Sequence, residues 1–120
     1  MEKFSWKKRF GSFRFAAAGL KQSFRTEHNL WIHLGASALV VLLSILLNTD
    51  LTEKALLVFA IGLVWMAELF NTCIEKIMDF ISVERKPQIK LIKDISAAAV
   101  LVAALTAALI GCLVFIPKIF

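Results

Sequence analysis

The chain has 120 residues, 59% of them hydrophobic and 19% charged, and its mean hydropathy is +0.77. Soluble domains run at about 45–50% apolar and about 25% charged, so a disordered chain, a disulfide scaffold and an ordinary soluble enzyme are excluded, and one integral-membrane domain is left. The net charge of +5 reads as cytoplasmic loop charge in contact with anionic lipid heads; no basic stretch interleaves with aromatics on a predicted sheet, which argues against nucleic acid as a partner.

The N-terminal segment is patterned as an amphipathic helix over residues 3–26. At 100° per residue Trp6, Phe10, Phe13, Ala17, Leu20 and Phe24 fall within an arc of about 80°. Lys3, Lys7, Arg14, Lys21 and Arg25 occupy the adjoining arc. Such a helix lies in the membrane interface. Residues 30–47 form the first expected span; eighteen residues rise about 27 Å, close to the hydrocarbon thickness of roughly 30 Å. The second expected span, 55–74, contains one acid, Glu68. The third, 95–116, is uncharged. Its Ala97, Ala104, Ala108 and Gly111 share one face, and small faces let helices approach closely in lipid. Cys73 and Cys112 sit inside apolar stretches and make neither a disulfide framework nor a metal motif. The expected fold class is therefore an all-α integral-membrane bundle, with a surface helix and three transmembrane helices, assembled as a homo-oligomer.

Charge sets the expected orientation. The segment before the first span and the loop 76–94 together hold all of the 14 Lys and Arg except Lys54 and Lys118. Under the positive-inside rule the N-terminus and that loop face the cytoplasm, and the C-terminus faces outward.

The second span ends in MAELFNTCIEKIMDF. Glu68, Asn71, Glu75 and Asp79 are spaced three, four and four, which on a helix is a single stripe about 80° wide. A carboxylate at the bilayer centre costs about 2.5–3.5 kcal/mol on the insertion scale, and three acids on one face repel one another. A cation, a proton or a metal must offset this. Near the same edge stand Glu27, His28, Asn29 and His33 before and inside the first span, and Lys93, Asp94 and Ser96 at the start of the third. A hard cation fits that composition: Mg²⁺ takes one or two carboxylates plus phosphate oxygens, which Glu27 and Glu75 could supply while Lys93 meets phosphate. No GxxxxGK, HRD, DFG or G-x-S-x-G motif is present. Spacing alone leaves phosphoryl transfer, proton translocation and cation passage open. A small proton or cation transporter using the Glu68/Glu75/Asp79 stripe is the main alternative to an enzyme. The purely apolar outer half of the second span favours chemistry at one face.

The run AELFNTCIEKIMD resembles the prokaryotic diacylglycerol kinase and undecaprenol kinase family, whose E-x-x-N-x-x-x-E-x-x-x-D pattern is matched by Glu68, Asn71, Glu75 and Asp79. Lys93-Asp94 followed by Ser96-Ala97-Ala98-Ala99-Val100 looks like a second family motif, and Thr26–His33, TEHNLWIH, like a third. The resemblance implies a homotrimer in the bacterial cytoplasmic (inner) membrane that moves the γ-phosphate of ATP to a lipid hydroxyl, with active sites shared between subunits. It implies Glu68 as catalytic base; Glu27 and Glu75 holding Mg²⁺ with ATP; and Glu84, Arg85, Lys86, Lys93 and Asp94 lining the nucleotide site. It further implies Glu68 and Ala97 at the lipid, with Asn71, Asp79, Asn29 and His33 in support. Diacylglycerol-type members tend to carry an acid where this chain has His33, and Asn29 with His33 looks more like the undecaprenol branch. Undecaprenol is therefore the expected acceptor, with diacylglycerol close behind.

Overall fold

The computed structural model describes residues 3–84 and 86–120. Four helices follow in order: α1 Trp6–Thr26, α2 Asn29–Leu46, α3 Leu51–Ile81 and α4 Pro87–Ile119. The last three are long and apolar enough to cross a membrane.

Helix α1 begins at Trp6 rather than at residue 3, because Ser5 is extended and its side chain accepts the Lys8 backbone N–H. Its apolar arc stays exposed as far as Leu20, with Phe24 half-buried: the rings of Phe4, Trp6, Phe10 and Phe13 form a ladder with centroids 5.1, 6.2 and 6.5 Å apart. Such a face suits the interface between lipid heads and chains. Glu27 is extended and ends α1. The bend into α2 is tied by Trp31, whose Nε1 donates to the Phe24 carbonyl at 3.0 Å. Leu30 is fully buried just past the bend.

The turn from α2 to α3 follows local chemistry. Asn48 takes φ 48°, a left-handed conformation that Asn tolerates better than most residues. Its N–H bonds the Ile45 carbonyl, and the Thr49 N–H bonds the Ser44 carbonyl, which satisfies the carbonyls at the end of α2. Buried Ser44 and Thr49 share a hydroxyl bond of 2.5 Å. Asp50 then caps α3 in a reciprocal box with Glu53.

Helices α3 and α4 form an antiparallel hairpin with the largest interface in the chain. On α4, buried or half-buried Lys93, Ser96, Val100, Ala103, Ala107, Ile110 and Val114 alternate spacings of three and four. On α3, Leu57, Ala60, Val64, Ala67, Asn71, Ile74 and Met78 do the same. A repeat of 3.5 residues keeps one seam facing a partner helix. A cluster of Leu57, Val114 and Phe115, with Val40, Leu43, Leu47 and Ile110 against it, closes the end away from the acidic stripe. There Lys118 pairs with Glu53 at 3.1 Å.

The expected spans 55–74 and 95–116 lie inside longer helices. The 31 residues of α3 and 33 of α4 would rise about 46 and 50 Å, beyond the roughly 30 Å of hydrocarbon. Charged residues end an apolar run without ending a helix. The surplus is at the polar end, where the hairpin carries the acidic stripe and the lysines. Pro87 opens α4 at its first turn, where a missing N–H costs nothing.

Candidate active site

Among the buried polar residues of the described chain, Glu68 is the one acid, at 5% exposure. It faces α2, where His33 Nε2 lies 3.4 Å from its Oε2. One turn earlier on α3, Trp65 Nε1 donates to Ser37 Oγ at 2.9 Å. These two contacts hold α2 and α3 in register at the depth of the acid.

One turn further toward the polar end, Asn71 joins α3 to α4. Ser96 Oγ donates to Asn71 Oδ1 at 2.7 Å, while Asn71 Nδ2 donates to Glu75 Oε1 at 3.4 Å. The amide thus spends its acceptor on the neighbouring helix and its donor on the next acid of its own stripe. At the end of the stripe Lys93 donates to Asp79 Oδ1 at 2.5 Å.

Glu27, at the end of α1, is brought to the same stretch of α3: its Oε1 lies 3.8 Å from Lys76 Nζ. Lys76 adjoins Glu75 but points off the acidic stripe, and that is where α1 lies. An open-sided crevice between Gly19, Leu20 and Ser23 of α1 and Leu69, Thr72 and Cys73 of α3 follows the same contact.

At the tip of the hairpin is a groove of about 570 Å³ lined by Asp79, Ser82, Glu84, Lys86, Lys90, Lys93 and Asp94, among others. It gathers Glu84, Lys86, Lys93 and Asp94, all expected near the nucleotide, together with Asp79. Arg85 lies outside the described residues. Its lysines face carboxylates: Lys90 to Asp94 at 2.6 Å, Lys93 to Asp79, and Lys86 to Glu84 at 3.9 Å. Lys90 was not anticipated from the sequence; its i, i+4 spacing from Asp94 is the signal that could have found it.

Neither Glu68 nor Glu75 lines that groove. Along α3, Glu68 stands about 10.5 Å from Glu75 and about 16.5 Å from Asp79, so the stripe links a buried acid to an open, ionic groove. Ala97 is exposed on α4 beside Ser96, and Asn29 is exposed at the first turn of α2. Among the described residues no three His, Cys, Asp or Glu side chains converge as a metal cage. A pair of carboxylates is what Mg²⁺ uses when water and phosphate oxygens fill the rest of its shell; Glu27 and Glu75 offer hard oxygen donors, Glu27 facing Lys76 and Glu75 facing Asn71.

A buried carboxylate, a polar relay along one helical seam and a lysine-lined groove suit a reaction between a membrane-embedded group and a soluble polyanion. Comparison with known proteins agrees. The family profile described as prokaryotic diacylglycerol kinase matches residues 14–115. The undecaprenol kinase of Bacillus subtilis (strain 168) is 36% identical over 110 residues, 92% of this chain and 89% of that protein. A diacylglycerol kinase of Synechocystis is 33% identical over 109 residues, 90% of this chain and 62% of the relative. One from Pseudomonas aeruginosa is 32% identical over 89 residues, 74% of this chain and 72% of the relative. The chain therefore belongs to the prokaryotic diacylglycerol kinase family and is a multi-pass membrane lipid kinase that uses ATP as co-substrate.

Proposed function

We propose that this kinase phosphorylates the hydroxyl of a polyprenol, undecaprenol above all, with diacylglycerol a poorer acceptor. Glu68 carries the reading. It is an acid buried against α2, three turns of helix from a groove rich in lysine. The choice of polyprenol is supported by His33 and Asn29 and by the Bacillus subtilis relative named for undecaprenol.

In this mechanism the ionised Glu68 takes the proton of the lipid hydroxyl. The hydroxyl oxygen attacks the γ-phosphorus in line, the bond to the β–γ bridging oxygen breaks, and ADP leaves. Glu27 and Glu75 are the proposed holders of Mg²⁺, which when bound neutralises charge on the phosphates. Asn71 fixes Glu75, and through Ser96 ties it to α4. Glu84, Arg85, Lys86, Lys93 and Asp94 are assigned to the nucleotide, with Lys90 added to them. The ion pairs in the groove are exposed, apart from half-buried Lys93, and exposed pairs are worth about 0–1 kcal/mol each. Their lysines can therefore turn to polyphosphate at small cost.

The whole chain acts as one domain, in a homotrimer with shared sites, its N-terminus and hairpin tip on the cytoplasmic side where ATP is. Radiolabelled phosphate transfer from ATP to undecaprenol and to diacylglycerol, side by side in one detergent, tests the acceptor. Faster labelling of undecaprenol is expected; a clear preference for diacylglycerol reverses the assignment.

A further inference from the structure

Glu68 accepts no bond from its own helical stripe among the contacts described above; the group that meets it is an imidazole from α2. His33 Nε2 lies 3.4 Å from Glu68 Oε2, and the two side chains are 22% and 7% exposed. An ionised carboxylate only accepts hydrogen bonds, and a neutral imidazole has a single N–H. A hydrogen bond across this contact requires a proton on Nε2 and engages Oε2, leaving Oε1 unoccupied by it.

The surroundings fix the imidazole. Trp65 and Glu68 stand three apart on α3, and His33 and Ser37 four apart on α2, so each pair lies on one face of its helix. The two faces meet rung to rung. Trp65 Nε1 donates to Ser37 Oγ, and Ser37 Oγ donates at 2.7 Å to the carbonyl of His33 itself. The Trp65 ring also lies beside the imidazole, centroids 6.5 Å apart, and against Phe24 of α1 at 5.7 Å. The backbone and ring of His33 are thus both held by the rung that sets the α2/α3 register.

We propose that His33 is a positioning residue for phosphoryl transfer: its Nε2–H holds Glu68 by one carboxylate oxygen and aims the other at the lipid hydroxyl. The inference rests on Glu68 being the base. Proton transfer in the transition state requires the base within hydrogen-bond reach of the hydroxyl. A glutamate has three rotatable bonds before its carboxylate, and one anchored oxygen removes most of that freedom.

The test is steady-state kinetics of the full-length kinase with undecaprenol and MgATP. His33→Leu should lower kcat about 10–100-fold, the scale of a lost hydrogen bond to a charged group, with KM for MgATP little changed. His33→Gln, which reaches as far as Nε2 with an amide N–H, should recover most of that loss. His33→Asn, polar but too short, should not. In a Glu68→Gln background the His33→Leu change should have almost no further effect, because the two residues act as one unit. The Asn and Gln variants keep the seam polar and carry the comparison if His33→Leu does not fold. Wild-type kcat in His33→Asn, or an equal fall in the Glu68→Gln background, overturns the proposal; so does a loss confined to KM for the lipid, which would make the imidazole a contact to substrate. If Glu68→Gln alone stays within about tenfold of wild type, the base assignment fails by itself, whatever the His33 variants do.

Discussion

At Glu68 burial and charge conflict, and the conflict is what makes the residue informative. An acid at the middle of a span costs about 2.5–3.5 kcal/mol on the insertion scale, and a glutamine of the same shape has no charge to bury. Glu68→Gln should therefore leave the fold intact or slightly more stable, keep nucleotide binding, and lower kcat by roughly 10²–10⁴-fold, the usual range for a lost acid–base group. Stopped-flow binding of a fluorescent ATP analogue beside the lipid assay separates these effects. Activity within about tenfold of wild type would remove Glu68 from the chemistry. The proposed metal ligands behave differently. Glu27→Gln and Glu75→Gln each replace a hard anionic donor by a neutral amide, so each variant should need more Mg²⁺ for half-maximal rate. Combining them should cost less than the product of the single effects if both hold one ion. A full multiplicative loss in Mg²⁺ titrations would place them at separate sites.

At the scale of the helix, the α2–α3 turn and the α3–α4 hairpin show different sources of order. The turn is local, and its charge is exposed to a pH test. Asp50 accepts the Glu53 backbone N–H, and this bond, followed by that with the Glu53 side chain and the positive charge of Lys118, holds its carboxyl below the ordinary carboxylate value. A carboxylate depressed in the folded state adds stability above its unfolded pKa and loses it as pH falls through the folded one. Asp50→Asn still caps but cannot be charged. Its Tm deficit in detergent should be largest near neutral pH and shrink as pH falls from about 5 toward about 2, and a deficit independent of pH would assign the cap to shape alone. The hairpin is tertiary, and this divides what can be read from the chain. Apolar length and the three-four-four spacing of Glu68, Asn71, Glu75 and Asp79 are properties of one segment, and both are visible without a structure. That α3 runs on to Ile81 is not, because hydropathy falls at Glu75 while helix propensity does not. Nor is the partner of each polar group: Ser96 for Asn71, Lys93 for Asp79, Ser37 for Trp65 and Lys76 for Glu27 are joined across 14 to 49 positions of sequence. A single sequence read for periodicity names the face of a helix but not which helix meets it.

For the molecule as a whole, one chain is open and extended. Its radius of gyration is 18.0 Å, against about 14 Å for a globular chain of this length, and the apolar faces of α2 and α4 remain exposed. Lipid covers part of that surface, and the proposed trimer would cover the rest. The orientation can be checked first: with the N-terminus cytoplasmic, a reporter fused after Phe120 should be active only outside, and cytoplasmic activity there would break the three-span topology. The proposed oligomer calls on the small residues of α4, which the structure divides. Ala103 is 5% exposed and sits in the seam with α3, whereas Ala97 and Ala108 are exposed. In lipid, association depends on close packing rather than on hydrophobic burial, so the exposed alanines are the ones a second copy can use. Ala103→Leu should overpack the hairpin within one chain, lowering Tm by an amount that reflects about 1–3 kcal/mol with the subunit number unchanged. Ala108→Leu should leave the protomer's helix content as it is and shift the population toward smaller assemblies in native mass spectra. Activity should fall with it, if neighbouring subunits share each site. An Ala108→Leu protein that keeps its assembly would show that this face meets lipid, and the contact between copies would then have to be sought on α2, where Trp31, Ile32, Leu39 and Leu42 are also exposed.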